Sequence, residues 1–177
     1  MDALIIVDVQ NDFCAGGALP VPDGDAVVEP INLLAEEFRF VIATRDWHPS
    51  NHLSFREQGG PWPVHCVADS GGAQLHPKLH SSQIDAVVDA GREPADEGYS
   101  GFEHTELERL LRDQGVQTVH VTGLALDYCV KETALDARRA GFDVVLHAAA
   151  TRAINVNPGD DERSLEALRA AGVLVVD

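Results

Sequence analysis

The stretch TVHVTGLALDYCVKETALDARRAGFDVVL, residues 118–146, reads as one strand–helix–strand unit. Thr118–Thr122 and Val144–Leu146 are short apolar runs rich in β-branched residues, as expected of strands buried on both faces of a parallel sheet. Between them Tyr128–Ala140 is helical in pattern and stops at Gly141. Two parallel strands joined through a helix require a crossover, and such crossovers are right-handed almost without exception.

The same alternation runs through the rest of the chain. Ala3–Val7, Phe40–Thr44, Ile84–Val88 and Val173–Val176 are further strand candidates, which brings the number to six. Helical periodicity covers Val28–Phe38, with Ile31, Leu34, Ala35 and Phe38 on one face and Pro30 in the first turn. Thr105–Gln114 opens with a capping-box pattern of Thr105 and Glu108, and Asp160–Ala171 ends at Gly172. The expectation is an α/β fold: a doubly wound, six-stranded parallel sheet with helices on both faces, in Rossmann-type three-layer form. At 177 residues the chain fits a single domain, 1–177, and can bury a core without disulfides. Two long irregular stretches, Gln10–Asp25 and Trp47–Gln83, follow the first two strands, on the side where open α/β sheets bind ligands.

Composition narrows the partners. With 29 acidic and 13 basic residues the chain carries −16, a field that repels phosphate backbones and anionic lipid. The expectation is therefore no nucleic acid and no membrane, with a homo-oligomer left open. The apolar run Ala3–Val7 is too short for a signal core or a span, and Cys14, Cys66 and Cys129 form no disulfide-scaffold spacing. A cytoplasmic protein with free thiols follows.

Three groups of residues carry chemistry. Asp8 stands where the first strand runs out, a costly place for a carboxylate unless it is paired or used, although a turn-capping role is equally open. Cys129 falls in the first turn of a helix, where unpaired N–H groups and the helix dipole favour thiolate and can also hold an oxyanion. The plain alternative is a cysteine that only packs. Asp46-Trp47-His48, followed by His52 and by His65-Cys66, offers N/O donors for an open catalytic metal site. Asp46, His48 and His65 rank first as ligands, and His52 and Cys66 stand next. Phe13, Trp62, Tyr99 and Tyr128 are aromatics in irregular segments, suited to clamping a flat ring or simply to loop packing.

Together these strings resemble the nicotinamidase/pyrazinamidase branch of the isochorismatase-like cysteine hydrolases. The matching pieces are IIVDVQNDF with GGAL (5–19), TRDWHPSNHLSF (44–55), GGPWPVHCVADSGGAQLHP (59–77), YSGFE (99–103) and TGLALDYCVKETALDA (122–137), in family order. The resemblance implies deamidation of nicotinamide or an analogue such as pyrazinamide through a Cys129 thioester. It implies Asp8 as base, Asp46, His48 and His65 as ligands of one divalent ion (zinc before manganese or iron), and an oxyanion hole from Ala125 and Cys129. A cis Leu124–Ala125 peptide, with Phe13, Trp62 and Tyr99 around a small aromatic amide, comes with it. The family also places a lysine about ten residues before the YSGF string, where this chain has Ala90; that difference implies impaired turnover. Two alternatives accompany this reading: another amide or N-carbamoyl hydrolase of the superfamily, and a non-catalytic pyridine-binding relative.

Overall fold

The computed structural model describes residues 1–177. In chain order it contains β1 (Asp2–Val7), α1 (Val28–Ala35), β2 (Val41–Asp46), β3 (Ala86–Ala90), α2 (Leu107–Asp113), β4 (Thr118–Leu124), α3 (Lys131–Arg139), β5 (Asp143–Arg152), α4 (Asp160–Ala170) and β6 (Leu174–Val176). All five strand pairings are parallel, in the order β3-β2-β1-β4-β5-β6. The six-stranded doubly wound sheet is therefore as the alternation of elements implies. Strand order reverses between β1 and β4, and the carboxyl ends of β1, β2 and β4 meet at that reversal.

Alternation along β1 divides the core in two. Ala3, Ile5 and Val7 face a layer with Leu107 and Leu111 of α2, Ala134 and Ala137 of α3 and Leu168 of α4. Leu4 and Ile6 face the other side, with Val28, Ile31 and Ala35 of α1. Both faces of the sheet are thus covered, which is why its strands carry continuous apolar runs. No helix is long and apolar enough to cross a membrane.

Several boundaries differ from the sequence pattern, each for a local reason. The third strand begins two residues later than Ile84, because Ile84 closes a 3-10 turn and the Asp85 carboxylate accepts the Val41 N–H at 2.8 Å. Its shifted end brings Ala90 into register with Asp46. Thr105 and Glu108 do not form a capping box: Thr105 Oγ1 donates to the Gly101 carbonyl and accepts from Leu107, while Glu108 pairs with Arg112 at 2.8 Å. The helix expected from Tyr128 to Ala140 is split into a π-turn, Leu126–Val130, and then α3.

One feature away from the sheet's carboxyl edge predicts a pH response. His120 of β4 and His147 of β5 share a 2.8 Å hydrogen bond between Nδ1 and Nε2, and burial lowers the pKa of both. Burial disfavours charge on either ring and protonating both would set two donors and two like charges against each other, whereas unfolded histidines take up protons freely below about pH 6.5. The unfolded state then binds more protons, so this pair's contribution to stability is intact above that pH and falls as pH drops through it. A His120→Gln/His147→Gln protein should show a shallower fall in melting temperature between pH 7.5 and 5.5 than the parent; parallel curves would exclude the pair.

Candidate active site

Three strand ends supply the site. Asp8 follows β1 with φ of 50°, a left-handed conformation that aspartate tolerates better than most residues. Its carboxylate accepts a 2.6 Å hydrogen bond from Thr44 Oγ1. Asp46 ends β2, and its backbone is held from both sides by Gln10. The Gln10 amide donates to the Asp46 carbonyl at 2.8 Å and its Oε1 accepts the Asp46 N–H at 2.9 Å. Cys129 lies in the π-turn after β4, where the Ala125 carbonyl accepts from the N–H groups of Tyr128 and Val130 but not from that of Cys129 between them. The Leu124–Ala125 peptide is cis. Gly123 permits the approach of β4 to β1, since at φ 109° any side chain would run into the Val7 carbonyl.

Asp8, Asp46 and Cys129 are all buried, with one potential ligand atom from each within 4.8 Å of the others. Asp46 is also part of a second group with His48 and His65, in which its Oδ2 is 3.2 Å from His48 Nε2 and 3.8 Å from His65 Nε2. Each histidine pairs its Nδ1 with a carbonyl at 2.8 Å, His48 with Gly91 and His65 with Pro63. That arrangement fixes Nδ1–H donors and turns each Nε2 toward the carboxylate, where it can carry a proton or, as in histidine metal ligands, hold an ion. Asp46 Oδ1 has no hydrogen-bond partner, although the residue is only 4% exposed. Two imidazoles and a carboxylate with room for further ligands fit an open divalent-metal site.

His52 and Cys66 do not join that group. The His52 ring stacks on His48 at 3.8 Å and pairs Nδ1 with Ser54 Oγ at 2.7 Å. Cys66 contributes backbone: its carbonyl accepts the His48 N–H and its own N–H donates to Asp12. Phe13, Trp62 and Tyr99 line a cavity that opens onto Cys129, Asp46 and both histidines. Phe13 leans against His65, and Trp62 Nε1 donates to Tyr99 Oη at 3.0 Å.

The family model for the isochorismatase domain matches residues 2–177. This chain belongs to the isochorismatase family. Within it the chain groups with the nicotinamidase/pyrazinamidase branch. It is 43% identical to the nicotinamidase of Escherichia coli, over 96% of this chain and 92% of that one. Among solved structures, the pyrazinamidase of Pyrococcus horikoshii in complex with zinc superposes with a TM-score of 0.92 at 46% identity, covering 99% of this chain and 98% of the other. PnC1 from L. infantum in complex with nicotinate gives 0.95 at 43%, covering 100% and 92%.

This isochorismatase-family site is short of positive charge. No lysine or arginine lines the cavity. Ala90 is buried at the end of β3, Arg92 points into solvent, and Lys131 pairs with Glu132 in a separate groove. Burial, reinforced by the charge on Asp46, raises the Asp8 pKa despite hydrogen bonds from Thr44 and Cys129. Burial also pushes the Cys129 thiol well above its ordinary range, and the charges of Asp8 and Asp46 add to the shift. Desolvation and two carboxylates thus oppose the thiolate that a helix start favours. Burial opposes charge on Asp46 too, but His48 and His65 together hold its pKa below the usual carboxylate range.

Two other contributors to this family site, Leu19 and Ile154, carry no local sequence signal, whereas Tyr128 stood among the ring-clamping aromatics. Leu19 and Ile154 line the cavity from loops far apart in the chain, and Tyr128 completes the aromatic wall at 5.1 Å from Trp62. Asp127 accepts from the N–H groups of Ile154 and Asn155, anchoring the loop that carries Ile154. Gln10 followed Asp8 in a recognisable string, but its hold on Asp46 depends on strand pairing.

Gly91 yields a test of the metal donors. A methyl there would lie 2.5 Å from His48 Cε1, and the position has φ of +63°. Gly91→Ala should move the His48 ring and weaken zinc affinity about 10–100-fold, the range for lost outer-shell support. Competition with a chromophoric chelator measures this; unchanged affinity would remove His48 from the ligand set.

Proposed function

We propose that the chain acts as one isochorismatase-like domain, 1–177, that hydrolyses nicotinamide and close analogues to the acid and ammonia. The observation that carries the reading is the buried meeting of Asp8, Cys129 and Asp46 beside the histidine pair, at the foot of an aromatic cavity. In this reading Asp8 takes the Cys129 proton as the sulfur attacks the amide carbon, and the N–H groups of Ala125 and Cys129 receive the oxyanion. The C–N bond then breaks, the proton passes from Asp8 to the leaving nitrogen, and ammonia departs from a thioester. Water, deprotonated by Asp8, cleaves the thioester to the acid and restores the thiol. Asp46, His48 and His65 hold a divalent ion, zinc before manganese or iron, which when bound supplies a Lewis acid for the ring nitrogen or for water. Phe13, Trp62 and Tyr99 sandwich and orient the ring. A small neutral substrate suits a cytoplasmic, strongly acidic protein.

A second reading has one specific observation behind it: with Ala90 at the end of β3 and no cation in the cavity, the thiol is hard to ionise. In that reading the chain binds pyridines without turning them over. One sample separates the two. The zinc-loaded protein is mixed with nicotinamide, ammonia is assayed, and acid-quenched protein is weighed for a nicotinoyl adduct on Cys129. Ammonia release with an adduct that disappears in Cys129→Ala supports the hydrolase; calorimetric binding without either product supports the pyridine binder. An N-carbamoyl substrate turned over in preference to nicotinamide would overturn both.

A further inference from the structure

Asp46 belongs to two groups of potential ligands at once, one with His48 and His65 and one with Asp8 and Cys129. Its Oδ2 faces the histidines, whereas Oδ1 is buried without any hydrogen-bond partner. A buried carboxylate oxygen in that condition is costly unless a proton or a cation satisfies it. The chain brings no cationic side chain to the spot. Asp8 stands beside it, with one oxygen taken by Thr44 Oγ1 and the Cys129 thiol as its other hydrogen-bond donor, a proton that an entering cation would displace.

We infer that Asp8, Asp46 and Cys129 form a second divalent-cation site, joined to the histidine site through the shared Asp46 carboxylate, and that filling it blocks the nucleophile. The donor set is two carboxylates and one sulfur, against two imidazoles and one carboxylate next door. A thiolate ligand selects soft or borderline ions, so zinc and cadmium enter and magnesium does not. On entry a metal–sulfur bond forms, the Cys129 proton is released to solvent, and no electron changes hands. Carboxylate-bridged pairs of ions about 3.5–4 Å apart are a common arrangement in enzymes. The other group that contains a cysteine, Cys14 with Asp25 and His76, is less suited: His76 Nδ1 accepts the Lys78 N–H, so Nε2 carries the proton that Asp25 binds. The inference uses the proposed histidine site only as a neighbour, and the two can fail separately.

Metal-free full-length protein titrated with cadmium, followed by dialysis and metal analysis, tests it, with the ultraviolet thiolate-to-cadmium charge-transfer band as a second readout. The expected result is two ions per chain and one band. Cys129→Ser should abolish the band and Asp8→Asn should weaken the second ion at least tenfold, each leaving one tightly bound ion. His48→Ala should lose the other ion and keep the band, which would show the second site standing without the first. A single ion with no band overturns the inference, as does a band that survives Cys129→Ser and so comes from Cys14 or Cys66.

Discussion

Ala90→Lys should raise the single-turnover rate on nicotinamide by about 10²–10³, the usual worth of one well-placed donor or charge in a dry site. Ala90 is buried at the end of β3, in register with Asp46, and Asp46 shares a buried group with Asp8 and Cys129. An ammonium reaching that group would offset the Asp8–Asp46 repulsion and bring the Cys129 thiol back down from the position to which burial and both carboxylates push it. It would also compete for the second cation site, so zinc should be kept at one equivalent. Melting temperature should change little, because the new charge enters beside carboxylates that lack a cation. Rapid-quench kinetics of both proteins decides the matter; equal rates would mean that the chain needs no cation at this position.

In the Ala90→Lys background, Asp8→Asn should lower acylation of Cys129 by about 10²–10⁴, the typical contribution of a general base. Asparagine keeps the shape and can still accept the 2.6 Å hydrogen bond from Thr44, but it cannot take the thiol proton. Stability should hold, since the substitution removes a buried carboxylate whose charge burial disfavours. The adduct yield after acid quench measures acylation directly. Full acylation by the variant would assign the proton transfer to another group.

The fold was legible because its signals are local: β-branched apolar runs and glycine stops mark buried strands and helix ends without reference to distant residues. Boundaries failed where distant groups intervened, as when Asp85 capped Val41 and moved β3 along by two residues. Asp8, Asp46, His48, His65 and Cys129 were legible as chemistry-bearing types near strand ends, and the structure gathers them. The ionisation of Cys129 was not, because it depends on burial and on carboxylates from β1 and β2 rather than on its own helix. Ile154 and Leu19 had no signal at all, being ordinary apolar residues that tertiary packing alone delivers to the cavity.

β3 is the outermost strand on its side of the sheet and pairs only with β2. Its last residue, Ala90, is thus attached to the scaffold by one neighbour while lying beside the reacting groups. A substitution there disturbs the pairing of one edge strand only, so its effect falls on the chemistry of Asp8, Asp46 and Cys129 rather than on assembly of the sheet.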